Sequence, residues 1–139
     1  MAKTNSKKTA NTEANKPTLQ FSVLCDGVAK AQNNKPVFIG VFSNLIRTGV
    51  IPQFCIANRW VYGTGTFKQK IIIKEPDLKK TLAEVAEQEF TLETEVNNAD
   101  LISGFINVNF EKKGVYWIEI YLDNELIMSY PLPVYEQNN

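Results

Sequence analysis

Histidine is missing from all 139 residues. Without an imidazole the chain cannot build a Ser-His-Asp triad, a Cys-His pair or the usual histidine-bearing zinc and copper sites. Cysteine is scarce too: Cys25 and Cys55 are the two present, far apart and without CxxC spacing. Two such residues cannot hold a structural zinc ion by themselves. Both sit in apolar runs, so buried free thiols and, in an oxidising compartment, a bridge between two strands both fit the sequence. No stretch of eighteen apolar residues occurs, and the opening MAKTNSKKTANTEANKP has no continuous apolar core of a secretory signal. That pattern predicts a cytoplasmic protein that neither crosses nor anchors in a membrane. Nucleotide-binding glycine loops are lacking as well. Gly63-Thr64-Gly65-Thr66 would need a glycine at position 68 to complete a dinucleotide fingerprint and has Lys68 there, and no P-loop is present. No cofactor and no metal is expected.

What is present is alternation with a period of two. In GVYWIEIYLDNELIMSYPLPV, residues 114–134, Tyr116, Ile118, Ile120 and Leu122 fall on one side of an extended chain. Leu126, Met128, Tyr130, Leu132 and Val134 repeat the pattern after Asp123-Asn124. Asp and Asn tolerate positive φ, so the pair predicts a tight turn joining two antiparallel strands. A lone hairpin is marginal in water and needs a second layer.

Further strands are expected along the chain. Leu19, Phe21 and Val23 alternate until Asp26-Gly27, which reads as a turn; Val37 to Phe42 (VFIGVF) is a nearly continuous apolar run and reads as a strand covered on both faces. From Gln53 on, Phe54, Ile56, Asn58, Trp60 and Tyr62 share one face, and Cys55, Ala57, Arg59 and Val61 the other. Phe67, Gln69, Ile71 and Ile73 alternate with Lys68, Lys70, Ile72 and Lys74, as in a strand with one wet face. Ile106, Val108 and Phe110 mark another strand. Residues 78–92 fit two patterns. Leu78, Leu82, Val85, Ala86 and Phe90 are spaced for a helix with Asp77 as its N-cap, whereas Glu84, Ala86, Gln88, Phe90 and Leu92 alternate as a strand. The all-β surroundings favour a strand from about Thr81 to Leu92.

The expected fold is therefore an all-β, about eight-stranded antiparallel sandwich at residues 18–135, preceded by a disordered basic arm at 1–17 and followed by a polar tail at 136–139. Lys+Arg and Asp+Glu balance at 15 each over the whole chain, so bulk charge gives no reason to expect nucleic acid. The arm alone holds Lys3, Lys7, Lys8 and Lys16 against Glu13. It is a solvated terminus or a weak contact for an acidic surface.

Leu24-Cys25-Asp26-Gly27-Val28, Val37 to Phe42, Pro52, Gly114-Val115-Tyr116 and Leu122-Asp123 through Pro131-Leu132-Pro133-Val134 together resemble an uncharacterised family of small bacterial β-sandwich proteins. The resemblance implies an all-β fold and brings no activity or catalytic residue with it. Gly114 to Tyr116 also resembles the segment entering the penultimate strand of immunoglobulin-like domains, where a tyrosine hydroxyl ties the chain back to a loop; a plain core tyrosine fits equally.

Recognition is what remains. Arg59, Trp60, Tyr62 and Phe67 gather around the Gly63 to Thr66 loop in sequence, and Trp117, Glu119 and Tyr121 point outward if Tyr116, Ile118 and Ile120 point inward. These seven residues are the expected interaction surface of a non-enzymatic interaction or structural module, with a protein partner or with a second copy through a sheet face or strand edge. A carbohydrate- or small-ligand-binding sandwich using the same aromatics is the second reading. A hydrolase built on Glu84, Glu87, Glu89, Glu93 and Glu95 is the third; that acidic stripe reads as a solvated face.

Overall fold

The computed structural model describes residues 15–136, and within them the chain forms eight strands and no helix. These are β1 (Thr18–Lys30), β2 (Pro36–Phe42), β3 (Gly49–Val61), β4 (Gly65–Lys74), β5 (Thr81–Leu92), β6 (Asn98–Phe110), β7 (Gly114–Leu122) and β8 (Glu125–Val134). They make two four-stranded sheets in the orders β2-β1-β3-β6 and β5-β4-β7-β8, every pair antiparallel. Most of the arm, Lys3, Lys7 and Lys8 included, and the last three residues lie outside the described residues. Lys16 is described and pairs with the exposed Glu125. The chain is already engaged at Asn15, whose N–H and C=O both bond to Thr64. At Gly63 that approach is close: a Cβ there would stand 2.8 Å from the Asn15 carbonyl oxygen.

The alternation read from the sequence sets the core. Tyr116, Ile118, Ile120 and Leu122 are fully buried between the sheets, facing Phe54, Ile56 and Trp60 of β3 and Phe105 and Phe110 of β6. Phe54 stacks on Phe105 with ring centroids 4.9 Å apart, and Phe110 meets Tyr116 edge-on at 5.1 Å. Asp123 and Asn124 take φ of 48° and 69°, the two left-handed residues of the expected tight turn. Residues 81–92 form a strand. Asp77, the would-be helix cap, caps a turn instead, its carboxylate accepting the Lys79 and Lys80 amides at 2.8 and 3.1 Å. Those two amides hold its carboxyl below the usual carboxylate range.

Two expectations for the first hairpin are corrected. Asp26-Gly27 does not end the first strand, because β1 runs through it to Lys30 and keeps pairing with β2 on either side of it. Nor is β2 covered on both faces. It is an edge strand, and Val37, Ile39 and Val41 are 45, 52 and 59% exposed. The reason is a bend. Phe38 pairs with Val28, and a straight strand would carry Val28 about 23 Å from Phe21. Yet the Phe21 and Phe38 rings lie 5.6 Å apart. The hairpin therefore folds back on itself at Asp26 and Gly40. Gly40 takes φ +67°, a conformation that favours glycine, and a Cβ there would displace the exposed Asp26 side chain. Phe21 pairs with Arg59, whose neighbours Asn58 and Trp60 point into the core, so the hairpin folds over the outer side of its own sheet.

Candidate recognition surface

The outer wall of the second sheet is built from alternate residues of β7 and β4. Trp117 lies between Lys74 and Pro131, Glu119 between Ile72 and Ser129, and Tyr121 between Lys70 and Leu126. All three expected residues point outward and are half-buried, as the inward burial of Tyr116, Ile118 and Ile120 requires. The Tyr121 hydroxyl donates to Glu119 Oε1 at 2.8 Å. Burial first, and then the Glu119 carboxylate, push the Tyr121 phenol up. Lys70 reaches Glu84 at 3.5 Å, so part of the charge on this wall is already paired. The glutamates of the acidic stripe are exposed.

The other expected cluster comes apart. Trp60 is fully buried and Phe67 is 3% exposed, and both pack on Phe90 at 5.9 and 5.8 Å between ring centroids. They are core residues, not surface anchors. The face that Trp60 shares with Phe54 and Ile56 is the one turned to the opposite sheet, and Phe67 shares its face with the buried Ile71 and Ile73. Tyr62 stands alone, 65% exposed with φ 60° at the end of β3.

Arg59 takes the outer side. Its Nε and Nη2 donate to Asp100 Oδ1 and Oδ2 at 2.6 and 2.9 Å, and its guanidinium lies 5.1 Å from the Phe21 ring centroid. This forked pair holds the Asp100 carboxyl below its ordinary range and raises Arg59. Because the folded-state value of Asp100 is depressed, its contribution is present above the unfolded value of 3.8 and is lost as pH falls through the folded one. Both side chains are about a quarter exposed, which keeps the effect under about 1 kcal/mol. Asp100→Asn is expected to flatten the acid limb of stability below pH ~4, checked by urea midpoints across that limb. An unchanged slope contradicts this account of the pair.

One group of residues was overlooked in the sequence. Gln69 is fully buried between the sheets and its Oε1 accepts from Asn58 Nδ2 and Trp60 Nε1, each at 2.8 Å. Its Nε2 donates to Gln88 Oε1 at 2.9 Å, which also accepts from Ser103 Oγ at 3.1 Å. Strands of both sheets are thus joined through one amide. Asn58 Oδ1 is the one buried side-chain polar atom among the described residues without a hydrogen-bond partner. The signal was available: Asn58 and Gln69 each interrupt an otherwise apolar inward face.

An open recess of about 660 Å³ is lined by Lys113, Gly114, Val115, Pro133, Val134, Tyr135 and Glu136, and none of the seven expected residues lines it. Among the described residues no group of three or more His, Cys, Asp or Glu side chains could hold a metal ion. No curated protein matches the sequence. The model of the family of unknown function DUF6941 matches residues 20–135. With that match covering most of its length, the chain belongs to the DUF6941 family.

Proposed function

We propose that this protein is a non-enzymatic interaction module that self-associates through the β2 strand edge. The observation that carries the reading is the exposed stripe Val37, Ile39 and Val41 on an edge strand, with Ile46 57% exposed beyond its end. An exposed apolar row on a strand edge is a surface that invites pairing.

A second copy of the chain is the occupant that charge favours. Pro36 to Ile46 contains no charged residue. Antiparallel pairing of two β2 strands about an axis at Ile39 sets Val37 against Val41 and Lys35 against Ser43, so no like charges meet. The other edges are less suited. β5 carries Glu84, Glu87 and Glu89, so pairing with its copy would gather like charges, and β8 carries Pro131 and Pro133 and is engaged near its end by Leu45. Ser103 of β6 is already tied to Gln88 of β5. Pro36, at the start of β2, would face Phe42 of the second copy and limits the shared ladder to residues 37–41.

Light scattering after size exclusion tests the reading. The native chain is expected to form a dimer whose share rises with protein concentration, as a small, weak interface requires. Ile39→Lys is expected to leave a folded monomer, since Ile39 is half exposed and its loss opens no cavity. A native chain that stays monomeric sinks the proposal. A dimer lost with Trp117→Ala and kept with Ile39→Lys would move the interface to the wall of the second sheet.

That wall supports a second reading. Trp117 stands beside a carboxylate held in place by Tyr121, a combination suited to stacking and hydrogen bonding with a sugar ring. With Trp60 and Phe67 in the core, the ligand reading now rests on Trp117 and Tyr121. Trp117 fluorescence unmoved by oligosaccharides would remove it.

We further read the sandwich as immunoglobulin-like. The adjacent strands β1, β3 and β6 occupy the places of A, B and E, while β4, β7 and β8 occupy those of C, F and G; β2 is an added edge. Near the start of β7 the Tyr116 hydroxyl donates to the Lys112 carbonyl at 2.9 Å and accepts from the Lys112 amide at 3.2 Å, the tie expected of a tyrosine corner.

A further inference from the structure

We propose that Cys25 and Cys55 are a redox-responsive pair that closes a disulfide between β1 and β3 at the foot of the folded-back hairpin. The two residues are direct antiparallel partners, Cys25 opposite Cys55. Such partners hold their Cα atoms about 4.5 or 5.5 Å apart, and both spacings fall in the range a disulfide spans without backbone movement. Being opposite one another, they also project from the same side of the sheet. Their neighbours Leu24, Phe54 and Ile56 fill the core, so the thiols project toward the outer side, over which the hairpin folds. Both are free and buried, Cys25 fully and Cys55 to 9% exposure. Burial first, and then the neighbouring Cys55, push the Cys25 thiol up, which fits two sulfurs close enough to sense one another.

Glutathione disulfide, or another small disulfide of that class, is the oxidant. The Cys55 thiolate, on the less buried residue, attacks one sulfur of the oxidant, forms a mixed disulfide and releases one glutathione thiolate. The Cys25 thiolate then attacks the Cys55 sulfur, the Cys25–Cys55 bond forms and the second glutathione leaves as thiolate. Two electrons pass from the cysteine pair to the oxidant, and the two protons lost by the protein thiols end on the two glutathione molecules. The product staples β1 to β3 one residue before the Asp26 bend, so the hairpin that carries Val37, Ile39 and Val41 is held at its base.

The test uses the full chain without denaturant. Incubation with glutathione disulfide is expected to remove two hydrogens from the intact mass, to join the Cys25 and Cys55 peptides within one chain, and to raise Tm by about 5–10 °C. Dithiothreitol should reverse all three changes. Cys25→Ser should stop at a glutathione adduct on Cys55. The proposal fails if the native chain accumulates only glutathione adducts or bridges between chains, or if the internal bridge appears only in denaturant. It fails equally if the fully bridged chain melts no higher than the reduced one.

Discussion

Gln69→Leu is expected to destabilise the protein by about 3–5 kcal/mol, because one substitution strands several buried groups at once. Gln69 Oε1 accepts two hydrogen bonds, from the Asn58 amide and the Trp60 indole, and both donors are buried where no other acceptor has been placed for them. Each orphaned donor costs about 1–3 kcal/mol, while the apolar gain of a leucine in a space shaped for glutamine is small. Gln88 Oε1 keeps its bond from Ser103 and adds little to the loss. Asn58→Leu is expected to cost far less, under about 1.5 kcal/mol, since it removes the unpartnered Oδ1 together with the amide and leaves Gln69 still bonded to Trp60 and Gln88. Urea unfolding of both variants decides the matter. Equal losses would mean that the amide of Gln69 is not the point where the two sheets are joined. The double variant should cost less than the sum of the singles, because the Asn58 donor is stranded only while Asn58 is present.

The strand pattern was readable because burial on one side of a sheet imposes a period of two, and Tyr116 through Leu122 obey it without exception. The turn at Asp123-Asn124 was readable from local backbone chemistry alone. The strand at Thr81–Leu92 was the harder case, and the neighbouring β pattern decided it correctly over a helical spacing of similar quality. Period two says which residues share a face. It does not say which face is the inner one when both carry apolar residues, and β3 is such a strand: Cys55 and Ala57 on one side, Phe54 and Ile56 on the other. Trp60 was therefore placed near the surface by its closeness in sequence to a glycine loop, although it follows Ile56 and Asn58 inward. Phe67 is the plainer lesson, since its alternation with Gln69 and Ile71 already put it in the core. The fold-back of β1 and β2 left little local trace. Asp26-Gly27 looks like a turn; the pairing with β2 on either side of it shows that the strand continues, and the contact of Phe38 with Phe21 shows that it bends. On the candidate surface, the outward set Trp117, Glu119 and Tyr121 was legible for the same reason as its buried counterpart. The exposed stripe on β2 was not, because an apolar run reads alike whether a neighbour covers it or leaves it bare.

Raising the pH from 10 to 12 is expected to remove about 2 kcal/mol of stability through Tyr130 alone. Tyr130 lies on the inward face of β8 opposite Ile118, and its hydroxyl shares a 2.8 Å hydrogen bond with Ser22 Oγ of β1. Burial pushes its phenol up to about 12, against 10.0 for a free tyrosine, and the Ser22 hydroxyl lowers it only in part. The direction of the effect follows from the raised value. Below pH 10 the phenol is neutral in both the folded and unfolded chain and the contribution is whole; between 10 and 12 the unfolded chain releases its proton and the folded chain does not, so unfolding is favoured progressively. Tyr130→Phe loses the bond to Ser22 and should be about 1 kcal/mol less stable at neutral pH. It cannot ionise there, however, so its stability should fall less steeply and the two curves should cross between pH 10 and 12. Tyr121 and Cys25, also raised, are present in both proteins and do not move the crossing. Chemical denaturation at intervals from pH 8 to 12 measures it, with phenolate absorbance following ionisation in the native state. Parallel curves that never meet would show that the Tyr130 hydroxyl reaches water in the folded protein, and that the seam between β1 and β8 is open at Ser22.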